Sequence, residues 1–453
     1  MAVSPARAAA FDILLRVERD ESYASELLHS PRLAKLSSSD HGLATELVMG
    51  VLRWRSLLDQ RLATASSQKL ERLDREVLSA MRLGIYQLQF LSRIPARAAI
   101  FESVELVKAA RKRSAAPFVN AILRKVEPGS AQSTLEEIEP CADACQLAAC
   151  SAHPEWLVVR WVGRYGVASA RQICLYDQTL PTTAIHIDDN QVEKELVDAG
   201  LQLSPGALLS SARRVNVERR ATRPSSRAET PSPLQNPGIS IQDEASQLVA
   251  LLAGHGEKVL DCCAAPGSKT ALLAKRNPSA HVFASELHPH RARLLRHLVN
   301  LPTVHVVAAD ARQLPFASGF DRILADVPCS GTGTLARNPE IKWRLKPEDL
   351  ADLQSRQIAI LKPALSQLAR GGRLVYSTCS LECEENEVVV EAALEAATGF
   401  ARVDCRAELE QLKRLNELSW GDTGSLLAGP YLQTIPGKHP CDGFFAAIIE
   451  RRA

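Results

Sequence analysis

The sequence predicts an all-α bundle at its N-terminus, followed by a doubly wound α/β domain on a mostly parallel sheet. Three observations predict it. Over residues 1–130 apolar side chains recur at spacings of three and four, the period of helices with one buried face. From residue 239 short apolar runs alternate with helical segments, the pattern of strands joined by crossover helices. The chain has 453 residues, more than one ordinary core uses. We expect three domains: helical 1–130, a connecting helical and mixed α/β domain 131–238 with a basic loop, and the α/β domain 239–453.

The elements follow in order. "AAFDILLRVERD", "GLATELVMGVLRWRSLLDQRLA" and "REVLSAMRLGIYQLQFL" read as helices, the second with Asp40 as N-cap, and "VNAILRKV" closes a further one. Residues 131–180 continue helical and include "HPEWLVVRWVGRYG", where Pro154 suits a first turn. Then come a strand "TTAIHI", a helix "QVEKELVDAG" and an Arg/Pro/Ser-rich stretch. Residues 221–236 of that stretch are expected to be a mobile loop. Six apolar runs then mark the sheet: "KVLDCC", "HVFASE", "VHVVAAD", "FDRILADV", "GGRLVYST" and "GFFAAIIE".

Composition bounds the class. Hydrophobic residues make up 46% and charged residues 23%, a globular balance. No run of about 18 apolar residues occurs, so no membrane span is expected. The N-terminus lacks the apolar core and cleavage site of a signal peptide, and we expect a cytoplasmic protein. Eleven cysteines, several in apolar segments, then read as free thiols. The net charge of +2 is uninformative, but its distribution is not. Residues 1–128 hold 20 Lys and Arg against 14 Asp and Glu, and residues 213–227 hold six Arg against one Glu. Such patches suit a nucleic-acid partner and equally suit a solvated surface.

In a doubly wound fold ligands bind at the carboxyl ends of the strands, and the chemistry-bearing residues gather there. "VLDCCAAPGSKTALLAKR" runs strand, turn, helix. Asp261 ends the strand, and Ala264, Ala265 and Gly267 are small enough to let backbone approach a ligand. Pro266 stiffens the turn, and the helix offers its N-terminus. The turn is neither a Walker A loop nor G-x-G-x-x-G, which favours a smaller adenosyl ligand over a dinucleotide. Glu286, Asp310 and Asp326 end the next three strands, and Glu286 suits ribose hydroxyls. Two cysteines, Cys329 in "ADVPCSG" and Cys379 in "VYSTCS", each follow an apolar strand. A lone cysteine there is most simply a small buried residue, but two in matching settings point to thiol chemistry. "ARNPEIKWR" (336–344) offers Arg337, Lys342 and Arg344, with Trp343, for RNA phosphate or base contacts, or else packs on the domain. Cys141, Cys145, Cys150 and His153 lack zinc-ribbon spacing, and no metal is expected.

In combination, "QDEAS" (242–246), "DCCAAPGSKT", "DVPCSGTG", "YSTCS" and "DGFF" (442–445) resemble the RNA cytosine-C5 methyltransferases. The N-terminal helices resemble the NusB-type RNA-binding domain. That pairing is typical of the ribosomal RNA small-subunit methyltransferase B group, and Ala152-His153-Pro154-Glu155-Trp156 fits its middle region. The resemblance implies a Rossmann-like fold dependent on S-adenosylmethionine, acting on a cytosine of 16S ribosomal RNA as a monomer. Cys263, Ala264, Ala265, Pro266, Gly267, Ser268 and Lys269 would line the methionine end, Glu286 the ribose and Asp310 the adenine. Asp326 would border the cofactor and meet N3 of the target base. Cys379 would attack C6 and Cys329 would assist release, the reverse of the DNA enzymes, where the Pro-Cys cysteine attacks. Two departures stand out: Ser268 replaces a usual glycine, and Glu286 an acid that varies toward Asp. Other substrates, 23S ribosomal RNA, transfer RNA or DNA, and a non-catalytic assembly role remain as alternatives.

Overall fold

A computed structural model describes the chain except residues 1–2, 21, 67, 188–189, 217–238, 318, 396 and 453. It forms two compact units, 1–181 with 334–345, and 182–333 with 346–453. The expected connecting segment thus divides near residue 181. Most of the Arg-rich stretch, including 221–236, lies outside the described residues.

The first unit is helical: α1 (Pro5–Asp20), α2 (Ala24–Leu28), α3 (Ser38–Ala65), α4 (Arg75–Phe90), α5 (Ala96–Ala109), α6 (Ala116–Lys125), α7 (Ala131–Glu136), α8 (Ala144–Cys150) and α9 (Glu155–Asp177). The helical period buries Leu47, Leu58, Leu62, Met81, Leu83, Ile85 and Leu123 completely. Ser37, not Asp40, caps α3: its hydroxyl accepts from Asp40 N and donates to the Asp40 carboxylate. Asp40 sits three residues into the motif, the acidic partner of a capping-box-like pair. Pro154 takes the N-cap position of α9, one residue before the first turn.

Residues 334–345, which interrupt the α/β sequence, belong to this helical unit. Their short helix α14 (Ile341–Arg344) carries two of the three expected RNA ligands, Lys342 and Arg344. Lys342 is 2% exposed, and its ammonium donates to the carbonyls of Arg53 (2.7 Å) and Ala152 (3.0 Å). Trp343 Nε1 donates to Leu52 O, and Arg344 donates to Val17 O and Ser22 O. A buried ammonium spent on backbone carbonyls cannot reach a phosphate, so Lys342 leaves the set of RNA ligands. Burial lowers its pKa to about 7. Arg337 is half-buried in the same segment.

The second unit carries two sheets. The smaller is antiparallel, in the order β2 (Gln202–Pro205), β3 (Ala212–Asn216), β1 (Thr183–Ile187), β4 (Ile239–Ile241), with α10 (Asn190–Asp198) between β1 and β2. Two arginines of the basic stretch are committed within this unit: Arg213 pairs with Glu193 and Arg214 with Glu244.

The larger sheet holds β5 (Lys258–Asp261), β6 (His281–Glu286), β7 (Val304–Ala308), β8 (Phe320–Asp326), β9 (Leu368–Thr378), β10 (Phe400–Val403), β11 (Leu427–Ala428), β12 (Tyr431–Gln433) and β13 (Phe445–Arg451). Its order is β11-β12-β13-β9-β8-β5-β6-β7, with β10 on β13. Strands β7, β6, β5, β8 and β9 are parallel, and β13 runs antiparallel beside β9. Helices α11 (Glu244–Leu252), α12 (Ser268–Arg276), α13 (Pro289–Leu298), α15 (Asp349–Gln367), α16 (Glu387–Glu395) and α17 (Cys405–Arg414) complete the unit. Val259, Leu260, Leu324, Ala325, Leu374 and Val375 are fully buried, as expected of strands covered on both faces. The chain leaves β5 toward β6 and β7, then returns to add β8 and β9 on the other side. The order therefore reverses at β5, and the carboxyl ends of β5 and β8 flank the switch point at which folds of this kind bind ligand.

Candidate active site

Strand β5 ends in Asp261, 1% exposed, whose carboxylate accepts from Thr270 Oγ1 at 2.7 Å. Burial pushes this carboxyl up to about 7. The turn then reaches Gly267 with φ +118° and starts α12. A Cβ there would meet Leu295 Cδ1 at 2.5 Å and Val299 Cγ2 at 2.6 Å, so only glycine fits. Ser268 is the first residue of α12 and leaves this geometry intact.

Glu286 ends β6, is 7% exposed, and accepts from His288 N at 2.8 Å. Asp310 lies beyond β7 and caps the turn that follows it. It is engaged by the Arg312 guanidinium at 2.6 Å, and the hydrogen bonds from Arg312 hold its carboxyl below the usual range. Asp326 ends β8, accepts from Ser377 Oγ at 2.7 Å and pairs with Lys269 Nζ at 2.8 Å. Lys269 in turn lies 5.0 Å from the Phe444 ring centroid. Burial works against its ammonium, but Asp326 and then Cys379 and Asp261 hold it above an ordinary lysine.

The two thiols meet. Cys329 Sγ lies 3.2 Å from Cys379 Sγ and accepts from Cys379 N at 3.3 Å. Both side chains are half-buried. The hydrogen bond with Cys379, then burial, raises the Cys329 thiol well above its ordinary value. The structure thus brings Cys329, Cys379, Asp326 and Lys269 into one cluster. Asp261 and residues 263–269 stand at the end of neighbouring β5.

Sequence reasoning missed the supports. "DGFF" and "DVPCSGTG" converge through glycine: Gly443 N donates to Gly333 O at 2.8 Å and Gly333 N to Cys379 O at 2.9 Å. A Cβ on Gly333 would lie 2.2 Å from Gly443 O. The serines after the two cysteines, Ser330 and Ser380, are 3.0 Å apart and share the carboxylate of Glu385. The repeated Cys-Ser pair was the available signal. Among the described residues no group of three His, Cys, Asp or Glu could hold a metal ion, and no helix is long and apolar enough to cross a membrane. His153 is instead a buried histidine contacting Ser151 and Asp177.

Two family models match: 16S rRNA methyltransferase RsmB/F over residues 248–450, and the NusB family over residues 4–128. A probable ribosomal RNA small subunit methyltransferase B of Bacillus subtilis is 33% identical over 98% of this chain and 98% of its own length. The chain belongs to the RsmB/F methyltransferase family. Its RsmB/F relative from Vibrio cholerae, ribosomal RNA small subunit methyltransferase B, is 32% identical over 91% of this chain and 90% of its own. The crystal structure of PH0851 shares the fold, with a TM-score of 0.77 at 20% identity and full coverage of both chains. As in the rest of the RsmB/F family, the cofactor is S-adenosylmethionine. The residues present fit it. A turn without Cβ at Gly267 admits close backbone approach, a helix N-terminus faces that turn, and buried Asp261 Oδ1 has no hydrogen-bond partner among the described residues.

Proposed function

We propose that the chain methylates C5 of a cytosine in 16S ribosomal RNA through a covalent bond between Cys379 Sγ and C6 of the base. The observation that carries this reading is the pairing of two thiols, 3.2 Å apart, beside the Asp326–Lys269 ion pair. C5 of cytosine is a weak nucleophile. When the Cys379 thiolate bonds to C6, the C5–C6 π electrons become enamine-like and C5 gains carbanion character. Bound S-adenosylmethionine supplies an electrophilic methyl on sulfonium. As the ring takes up electrons N3 gains a proton from water, and Asp326, held by Ser377 and Lys269, accepts the hydrogen bond from that N3–H. The C5 proton then passes to water, the C5–C6 double bond re-forms, and the Cys379–C6 bond breaks with Cys379 leaving as thiolate, which the Cys329 thiol protonates. The raised Cys329 thiol favours that division of roles: Cys329 keeps its proton while Cys379 attacks.

The turn from Cys263 to Lys269 and Glu286 are assigned to the cofactor, with Asp310 on the adenine side. The target base must leave its stack to reach the thiols. The NusB-type helices, with their excess of basic residues, are assigned to RNA, and a cytoplasmic location suits that substrate. Incubation with unmodified 16S, 23S and transfer RNA, followed by nucleoside analysis, tests the reading. 5-Methylcytidine in 16S RNA alone supports it. Methylation at another atom or only of another RNA would overturn the assignment, and no methylation of any RNA would favour an assembly factor.

A further inference from the structure

We infer that Glu385 is a positioning residue that sets the spacing of the two thiols, an inference that rests on the two-cysteine reading above. Glu385 is fully buried. Its Oε1 accepts from Ser330 N at 2.8 Å and Gln357 Nε2 at 2.9 Å. Its Oε2 accepts from Ser330 Oγ and from Ser380 Oγ at 2.5 Å. Among the described residues it forms no ion pair. A buried carboxylate without a cation is costly, and four donors offset that cost.

The placement is specific to the chemistry. Ser330 directly follows Cys329, and Ser380 directly follows Cys379. One carboxylate therefore ties together the two loops that present the thiols, which come from different strands 50 residues apart in sequence. Gln357 of α15 extends the tie to the Pro-Cys loop, because the same amide nitrogen donates to Pro328 O at 3.0 Å. The next residue, Asn386, braces the other loop: Thr378 Oγ1 donates to its Oδ1, and its Nδ2 donates to Ser380 O at 2.9 Å. Cys379 is thereby held on both sides. The negative charge of Glu385 also contributes to the raised Cys329 thiol, behind the hydrogen bond to Cys379 and burial.

Charge and reach separate in two variants. Glu385→Gln keeps the length and removes the charge. Glu385→Asp keeps the charge but is one methylene too short to hold both serines. Each is made in wild type and in Cys329→Ala, where the covalent RNA adduct is expected to persist. A displacement of about 1 Å at a reacting group costs on the order of a hundredfold in rate. Both variants are expected to slow adduct formation by at least about tenfold, with cofactor affinity within about twofold. Glu385→Gln alone is expected to move the pH profile of thiol alkylation to lower pH. Ser330→Ala and Ser380→Ala each remove one tether and serve if the Glu385 variants fail to fold; they too should slow the adduct. Folded variants that form adduct at the wild-type rate, with only a lowered melting temperature, would overturn the inference. If Cys329→Ala with Glu385 intact yields no adduct, the two-cysteine reading itself fails, which is a separate result.

Discussion

Cys329 Sγ and Cys379 Sγ stand 3.2 Å apart at the ends of β8 and β9, two parallel strands paired directly in the sheet. At that separation the hydrogen bond with Cys379, together with burial, raises the Cys329 thiol well above its ordinary value. The cationic Lys269, 2.8 Å from Asp326, lies close enough for Cys379 to raise its pKa. This arrangement underlies the proposal that Cys379 attacks and Cys329 assists release.

The turn assigned to the cofactor depends on Gly267. Gly267→Ala places a methyl against Leu295 and Val299 and forces φ +118° on a residue with a side chain. Strain of this kind costs about 1–3 kcal/mol. Calorimetric titration should show S-adenosylmethionine binding weakened by about tenfold or more, with a lower melting temperature. Unchanged affinity would move the cofactor away from this turn.

Asp261 predicts a pH dependence. Its carboxyl titrates near 7 in the folded chain and near 3.9 when unfolded, so the folded chain binds the proton more tightly. The stability it contributes is full below about pH 4 and is lost as pH rises through about 7. Without cofactor, wild type should lose more melting temperature between pH 5 and pH 8 than Asp261→Asn does. Equal losses would show that this carboxyl is already ionised at pH 5.

Lys342 separates packing from RNA contact. Lys342→Met removes the donor to two buried carbonyls and should destabilise the protein by about 1–3 kcal/mol. The salt dependence of RNA binding should keep its slope, because no phosphate contact is lost. A slope shallower by about one, with melting unchanged, would return Lys342 to the RNA interface.

The catalytic half was legible because its strands are buried on both faces and read as continuous apolar runs, each closed by an acid. Asp261, Glu286, Asp310 and Asp326 all stand at or just beyond strand ends as expected. Other features could not be read in this way. The basic residues of "KWR" resemble phosphate ligands in sequence, but their partners are carbonyls that only the tertiary fold supplies. Glu385 lies in "ECEENE", which looks like a solvated acidic run, although two serines from distant loops make it a buried hub. The short strands β2, β3, β10, β11 and β12 carry too few residues to declare a period, and pairing rather than pattern creates them.

The most direct measurement is adduct trapping with wild type, Cys329→Ala and Cys379→Ala, using unmodified 16S RNA and methyl-labelled S-adenosylmethionine on denaturing gels. With Cys379 as nucleophile, Cys329→Ala accumulates labelled RNA linked to protein, and Cys379→Ala gives neither adduct nor methylated RNA. The opposite pattern, adduct in Cys379→Ala and none in Cys329→Ala, would contradict that assignment and make Cys329 the attacking thiol.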